Sequence, residues 1–265
     1  MEKNVIYCVD SDGCAMDTMT YKHQLFFGPL AAEVFEVDNR EDFLREWNRV
    51  NLFSISRGIN RFVGLVRGLE YAGISNISAL KKWVEETDSL SNASLEKTLQ
   101  NHLAEDLNKA LDWSLRVNQA IKAYEGPILA FPGVRECFEQ MRQFGEIVVV
   151  SSANKEAVME EWEAQGLLQY VSEVFCQDRG LKSDIIASLM GEGAINNRIL
   201  MIGDSVGDLE AAKNNEVAFY PIMVGKEEES WEQLREQVAS AFARGDYSAE
   251  MEQEQIQRFW KNLDS

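Results

Sequence analysis

Two aspartates separated by one residue end the first apolar run of the sequence. The run Asn4-Val-Ile-Tyr-Cys-Val leads directly into Asp10, Ser11, Asp12 and Gly13. Short runs rich in β-branched and aromatic residues, closed by Asp and Gly, are typical of buried strands. Because side chains alternate along a strand, we expect Asp10 and Asp12 to point the same way. Two carboxylates held together are unfavourable unless they share a cation or a proton, which indicates metal-dependent chemistry.

Apolar runs with the composition of strands alternate with helical patterns along the chain. The expected strands cover residues 4–9, 147–150, 174–176, 198–202 and 217–224. The expected helices between them cover residues 134–144, 155–168, 183–190 and 209–214. This alternation predicts an α/β fold with a Rossmann-like, doubly wound parallel sheet and helices on both faces. In such sheets, ligands bind beyond the carboxyl ends of the strands.

Polar side chains lie at or soon after the ends of these expected strands, and we expect them to form one site. They are Asp10, Asp12, Ser151, Ser152, Asn154, Lys182, Asp204 and Asp208. Phosphoryl transfer needs an oxygen nucleophile, cations that neutralise the phosphate and a proton donor for the leaving oxygen. This set of side chains, together with a metal ion, could supply all three.

The stretch from 19 to 124 differs from the rest of the sequence because it lacks strand-like runs and predicts several helices. A four-residue step predicts one apolar helical stripe near its end, formed by Leu95, Leu99, Leu103, Leu107 and Leu111. We therefore expect a helical cap domain over 19–124, inserted into an α/β core made of 1–18 and 125–265. The core ends in an acidic helical tail, whose two expected docking faces are Trp231, Leu234, Val238 and Phe242, and Ile256, Phe259 and Leu263.

The polar clusters and the helical insert resemble the haloacid dehalogenase-like superfamily of phosphohydrolases over most of the chain. All four motifs of that family occur in order: Asp10-Ser-Asp12-Gly13, Ser151, Lys182 and Gly203-Asp204-Ser-Val-Gly-Asp208. The resemblance implies that Asp10 is the nucleophile and forms an aspartyl-phosphate. Asp12 would protonate the departing alcohol and then activate water.

The resemblance further implies that Ser151 hydrogen-bonds a phosphate oxygen and that Lys182 supplies a compact positive charge. It also implies a Mg²⁺ ion held by Asp10, the backbone carbonyl of Asp12, and Asp204. Asp208, one helical turn beyond Asp204, would face the same metal site directly or through water.

Each of these residues also has a structural interpretation. Asp10 and Asp12 could simply terminate a strand. Ser151 could cap the following helix, and Asp204 and Asp208 could be ordinary acids at a helix start. Lys182 could be a solvated lysine, since the family often places prolines after its lysine and here Ser183 follows. Cys14 stands where the family usually has Thr or Val, and we expect a packing role rather than a thiol nucleophile.

A helical cap excludes water and supplies contacts that determine specificity. Within it, Arg57 and Arg61 flank a turn and suit bidentate binding of an anionic substrate. The alternative is that both are surface arginines that offset neighbouring acids. In the core, we expect Ser152 and Asn154 to contact the substrate as well.

The composition limits the possible partners. The net charge of -18 argues against nucleic acid and anionic membranes as main partners. No segment has the length and hydropathy of a membrane span, and no signal-peptide pattern is found. The four cysteines lack metal-type spacing, so we expect reduced thiols in a cytoplasmic protein.

We therefore expect a Mg²⁺-dependent phosphatase of a small phosphorylated metabolite. A phosphomutase with the same core and a non-catalytic sensor of a phosphorylated ligand remain as alternatives. A serine esterase based on Gly203-Asp-Ser205 is excluded, because it needs a histidine base toward the C-terminus and the last histidine is His102. Within the family that the sequence resembles, the acid at Asp12 favours phosphate esters over dehalogenase and phosphonatase chemistry.

Overall fold

The computed structural model describes residues 5–191 and 196–263. The chain divides into two units, Met1–Met19 with Pro127–Ser265 and Thr20–Gly126. We call the first the sheet unit and the second the helical unit. The sequence predicts divisions after residues 18 and 124, whereas the structure divides after 19 and 126.

A parallel sheet forms the centre of the sheet unit. Its five strands in the described residues are β1 (Val5–Val9), β2 (Gly145–Val150), β3 (Glu173–Phe175), β4 (Ile199–Gly203) and β5 (Ala218–Pro221). They lie in the order β3-β2-β1-β4-β5, and each neighbouring pair is parallel. The strand order reverses between β1 and β4, so the ligand crevice of such a sheet lies at the carboxyl ends of these two strands.

Seven α-helices lie between residues 19 and 122. They are α1 (Met19–Tyr21), α2 (Gly28–Val34), α3 (Arg40–Leu52), α4 (Arg61–Tyr71), α5 (Ser78–Glu86), α6 (Asn92–Asn101) and α7 (Glu105–Lys122). A π-helical turn over Lys22–Phe27 joins α1 to α2. The helices of the sheet unit are α8 (Val134–Met141), α9 (Lys155–Ala164), α10 (Lys182–Gly191), α11 (Val206–Asn214), α12 (Glu227–Gln233), α13 (Ala239–Arg244) and α14 (Ala249–Leu263). None of the helices in the described residues is long and apolar enough to span a membrane.

The sheet is covered on both faces, as the sequence predicts. Tyr7 and Val9 of β1 lie in a core cluster that includes residues of α8 and α9. Cys8, which points to the other face, lies in a second cluster with residues of α10, α11 and α14. Because side chains alternate along a strand, two separate helical layers bury the two faces.

The C-terminal tail covers both faces of the sheet through its two predicted apolar surfaces. The first surface lies in the α8–α9 cluster and consists of Trp231, Leu234, Val238 and Phe242. The second lies in the α10–α11 cluster and consists of Ile256, Phe259 and Leu263. Both predicted docking faces are therefore confirmed as parts of the core.

The leucine stripe predicted near residue 100 does not lie on one helix. The backbone leaves the helical conformation between α6 and α7, and Leu103 is 85% exposed there. In a helix, a four-residue step turns about 40° past a full turn, so five such positions drift across about 160°. Leu95 and Leu99 of α6 and Leu107 of α7 are instead buried from two separate helices. The prediction of a single helical stripe is wrong for this reason.

Replacing Phe259 with alanine tests the packing of the tail on the sheet. Phe259 is fully buried, and its ring packs edge-on against Phe219 of β5 with centroids 5.8 Å apart. We expect Phe259→Ala to lower the free energy of unfolding by about 3–5 kcal/mol, measured by denaturant titration. The control Leu103→Ala should change it by less than about 0.5 kcal/mol. Equal losses in both variants would contradict this packing.

Candidate active site

Asp10, Ser151 and Asp204 follow the ends of three adjacent strands, β1, β2 and β4. The backbone N–H of Asp10 still donates to the carbonyl of Ile202 in β4 at 3.0 Å. The N–H of Ser151 donates to the carbonyl of Phe175 in β3 at 2.9 Å. The sheet thus holds the backbone at Asp10 and at Ser151, along one carboxyl edge.

A buried cluster of carboxylates lies at this edge. Carboxylate oxygens of Asp10, Asp204 and Asp208 lie within 4.8 Å of one another, and all three residues are buried. The Nζ of Lys182, at the start of α10, lies 2.8 Å from Asp10 Oδ2 and 2.6 Å from Asp208 Oδ1. The structure therefore brings these four predicted residues together.

The donor set of this cluster fits a divalent cation. Three carboxylates face a single ammonium, so the buried group carries an excess of negative charge. Hard oxygen ligands are those that Mg²⁺ prefers, and a cation removes the repulsion between buried carboxylates. Asp10 and Asp204 follow the ends of the two strands between which the strand order reverses. The cluster thus lies where ligands bind in this class of fold.

The electrostatics of Asp10 and Lys182 are linked. Burial raises the pKa of the Asp10 carboxyl well above its ordinary value, Lys182 opposes this rise, and Asp208 and Asp204 add to it. Burial acts to lower the pKa of the Lys182 ammonium, but Asp10 and Asp208 raise that pKa above its ordinary value. Lys182 therefore stays charged and favours the ionised form of Asp10, and a divalent cation would act in the same direction.

Asp208 is held by the N-terminus of α11 and in turn holds Lys182. Its Oδ2 accepts hydrogen bonds from the N–H of Ser205 at 3.0 Å and from the Ser205 hydroxyl at 2.7 Å. Ser205 is the N-cap of α11 and also accepts from the N–H of Asp208, which completes a capping box. The helix-start and active-site interpretations of Asp208 are thus both supported by contacts. The capping role of Ser205 was not predicted, although the Ser-x-x-Asp spacing is the signal of such a cap.

Gly203, at the end of β4, is required by the position of Asp208. A Cβ atom on Gly203 would lie 2.3 Å from Asp208 Cγ, far inside van der Waals contact. The glycine therefore makes room for the carboxylate that anchors Lys182.

Asp12 is directed by a turn rather than by the strand. β1 ends at Val9, so the alternation of strand side chains does not extend to Asp12, and that basis of the prediction is wrong. Gly13 has a φ of 79°, which glycine adopts readily, and its N–H donates to the carbonyl of Met16 at 2.8 Å. The buried hydroxyl of Thr18 donates to Asp12 Oδ1. Thr18 was missed because no local pattern marks such a contact.

The polar residues after β2 divide into two groups. Ser151 is buried, and its Oγ accepts a hydrogen bond from the N–H of Ala153 at 3.1 Å. Asn154 is the N-cap of α9, because its Oδ1 accepts two N–H groups of the first helical turn at 3.0 and 3.3 Å. The helix cap is therefore Asn154 and not Ser151. Ser152 is exposed. Substrate contacts of Ser152 and Asn154 stay predictions.

The two arginines of the insert lie within the helical unit. Arg57 is buried and donates to a backbone carbonyl at 2.8 Å. Arg61 donates to Ser114 Oγ at 3.2 Å and to Asn118 Oδ1 at 2.6 Å, and its guanidinium lies 4.9 Å from the ring centroid of Phe27. Burial lowers the pKa of Arg61 to about 10. These contacts do not match arginines on an open surface, and their binding of substrate stays a prediction.

Cys14 has a packing role in the core. It is fully buried, and its thiol donates to the carbonyl of Ile202 at 3.6 Å. Burial raises the pKa of this thiol well above its ordinary value, and the carboxylates of Asp204 and Asp10 add to the rise. A protonated thiol is a poor nucleophile, so this environment does not support nucleophilic chemistry at Cys14.

Solved structures share the fold of this chain at low sequence identity. A proposed phosphoglycolate phosphatase of Lactobacillus delbrueckii subsp. bulgaricus is 18% identical, with a TM-score of 0.56 over 93% of this chain and 99% of that one. A predicted phosphoglycolate phosphatase of Haemophilus somnus is 14% identical, with a TM-score of 0.52 over 84% and 87% of the two chains. A hydrolase of Pseudomonas syringae is 16% identical, with a TM-score of 0.51 over 85% and 90%.

Sequence comparison identifies the family. Among curated proteins, none matches this sequence. The sequence model of the haloacid dehalogenase-like hydrolases matches residues 73–222, which is more than half of the chain. The match includes Ser151, Lys182, Asp204 and Asp208, and the geometry above adds Asp10, which lies outside it. The chain therefore belongs to the haloacid dehalogenase-like hydrolase family.

Proposed function

We propose that the chain is a Mg²⁺-dependent phosphatase of a small phosphorylated metabolite that reacts through an aspartyl-phosphate on Asp10. The observation that carries this proposal is the ammonium of Lys182 between Asp10 and Asp208, inside a buried group of three carboxylates. The names of two structures with the same fold, a proposed and a predicted phosphoglycolate phosphatase, support phosphate ester chemistry.

In the first step, a carboxylate oxygen of Asp10 attacks phosphorus and the ester P–O bond breaks. Asp12 gives its proton to the departing alcohol oxygen. In the second step, Asp12 takes a proton from a water molecule, which attacks the aspartyl-phosphate and releases inorganic phosphate. The N–H of Ser11 and the Nζ of Lys182, each 2.8 Å from an oxygen of Asp10, fix the carboxylate that reacts.

Groups that are already in place compensate the negative charge of the phosphate. Lys182 faces the reacting carboxylate and compensates part of the negative charge, while Ser151 donates its hydroxyl to a phosphate oxygen. A bound Mg²⁺ would neutralise phosphate oxygens, and Asp10, Asp204 and the backbone carbonyl of Asp12 would hold it, with Asp208 beside them. Asp208 keeps Lys182 in position through its 2.6 Å contact.

The helical unit is proposed to act as the cap of this enzyme. A cap domain excludes water from the reaction and provides contacts to the part of the substrate that does not react. Arg57 and Arg61 are the candidates for binding an anionic group of the substrate. The acidic surface of the chain repels phosphorylated compounds, so specificity depends on such local cations.

Replacement of individual carboxylates tests the mechanism. With Mg²⁺ and a panel of phosphate esters, Asp10→Asn should abolish phosphate release, because an amide is not a nucleophile. Asp12→Asn should lower turnover by about 10²–10⁴-fold, the range expected for loss of a general acid and base. Asp17→Asn, an exposed carboxylate on the same segment, is the matched control and should keep turnover within about twofold of the wild type. Retained turnover in a folded Asp10→Asn variant would overturn the proposal.

Phosphorus NMR separates the proposal from its alternatives. Release of inorganic phosphate from the ester panel supports a phosphatase. Conversion of a hexose phosphate into an isomeric ester without net phosphate release indicates a phosphomutase. Binding of a phosphorylated ligand with no turnover of any ester indicates a sensor.

Two glycine variants test whether Asp208 anchors Lys182. Gly203→Ala should displace the Asp208 carboxylate, lower the free energy of unfolding by about 1–3 kcal/mol and reduce turnover. The matched control is Gly207→Ala, whose Cβ would lie 3.6 Å from Ser205 Oγ in ordinary contact. It should raise the free energy of unfolding by at most about 1 kcal/mol, because alanine favours the helix. Equal turnover in the two variants would contradict the anchoring role.

A further inference from the structure

Ser11, between the two aspartates of the first motif, is fully buried and engages all of its polar groups. Its N–H donates to Asp10 Oδ1 at 2.8 Å. Its carbonyl accepts from the N–H groups of Cys14 and Met16 at 3.2 and 2.9 Å. Its hydroxyl oxygen accepts from the indole Nε1 of Trp162 at 2.8 Å. Ser11 therefore joins the carboxylate of Asp10 to a side chain of α9.

A second indole contacts the other end of the same turn. Trp231, on α12, donates its Nε1 proton to the carbonyl of Cys14 at 3.0 Å. The rings of Trp162 and Trp231 both pack on Phe138 of α8, each with a centroid distance of 5.7 Å. Both tryptophans are fully buried. Two donors from different helices, fixed by one shared aromatic ring, thus contact the two ends of the segment 11–14.

We propose that Trp162 and Trp231 are positioning residues that fix the segment from Asp10 to Cys14, and with it the two reacting carboxylates. This inference rests on the proposed function. The segment lies beyond the end of β1, so the sheet ladder does not hold it along its whole length. A buried turn needs partners for its polar groups, and an indole offers one N–H donor in a direction set by its ring.

The geometry of this turn affects rate more than ground-state binding. Asp10 and Asp12 must reach the phosphorus and the leaving oxygen in one arrangement, and a shift of about 1 Å in a reacting group can lower the rate by about 100-fold. The hydrogen bond from Trp162 acts on the residue between them. Its loss should therefore lower kcat while KM changes little.

The test compares Trp162→Phe and Trp231→Phe with two controls in the full-length protein. Trp113→Phe removes a buried indole that donates to the carbonyl of Phe27 at 3.0 Å in the helical unit. Tyr247→Phe removes a half-buried hydroxyl that donates to the carbonyl of Phe219 at 3.1 Å in the sheet unit. Neither donor contacts the segment 10–14. The two controls therefore show how far kcat changes when a hydrogen bond is lost elsewhere in the protein.

In steady-state assays with Mg²⁺ and the best ester of the panel, we expect kcat to fall by about 10- to 100-fold in Trp162→Phe and Trp231→Phe. KM should stay within about threefold, and both controls should keep kcat within about twofold. In hydrogen–deuterium exchange, the peptide covering residues 10–18 should exchange about 5- to 10-fold faster in the two test variants only. Unchanged kcat in an active enzyme, or unchanged exchange in this peptide, would overturn the inference.

A double-mutant cycle with Ser11→Ala isolates the hydrogen bond itself. If Ser11 and Trp162 act through this bond, the double variant should have the kcat and the exchange rate of the more impaired single variant. Fully additive effects of the two substitutions on kcat and on the exchange rate would contradict the inference. An unmodified protein that releases no phosphate from any ester contradicts the proposed function instead. The exchange of the 10–18 peptide then still decides whether the two indoles fix this segment.

Discussion

The candidate site depends on the two ion pairs that the buried ammonium of Lys182 makes with Asp10 and Asp208. Three carboxylates at the edge of a sheet would otherwise repel one another, and burial raises the pKa of the Asp10 carboxyl. Lys182 offsets part of this repulsion and keeps a negative charge on the residue proposed to react. Because one ammonium does not neutralise three carboxylates, a further cation would stabilise the cluster. The same charge balance therefore determines both how the cluster is stabilised and how it would bind a cation.

A few residues at the ends of strands and in the first turns of helices form this cluster. Asp10 and Asp204 follow two adjacent strands, while Lys182 and Asp208 stand in the first turns of α10 and α11. A carboxylate in the first turn of a helix is favoured by the helix dipole, which helps to offset the burial of Asp208. Ser205 both caps α11 and donates to the Asp208 carboxylate, so a change at this helix start would affect the fold and the site together.

Much of the fold and the composition of the site could be predicted from the sequence, because both depend on local patterns. Alternating strands and helices predict a parallel sheet. Because ligands bind beyond the carboxyl ends of its strands, Asp10, Lys182 and Asp204 are expected to lie together. Contacts between distant parts of the chain leave no such pattern. Ser11 and Trp162 are 151 positions apart, and nothing near Ser11 indicates an indole partner. The break in the leucine stripe was missed because a four-residue step was taken for a helical period.

The two halves of the site are therefore ordered in different ways. Lys182 and Asp208 lie in the first turns of two helices, and the contact between their side chains holds each of them in place. The sheet holds the backbone of Asp10, whereas Asp12 lies in the turn that follows, where the hydroxyl of Thr18 donates to its carboxylate. Since a turn held by a few directed bonds is easier to displace than a helix, small packing changes should move Asp12 before they move the lysine. In the proposed mechanism, the aromatic core formed by Phe138, Trp162 and Trp231 therefore limits the movement of this turn.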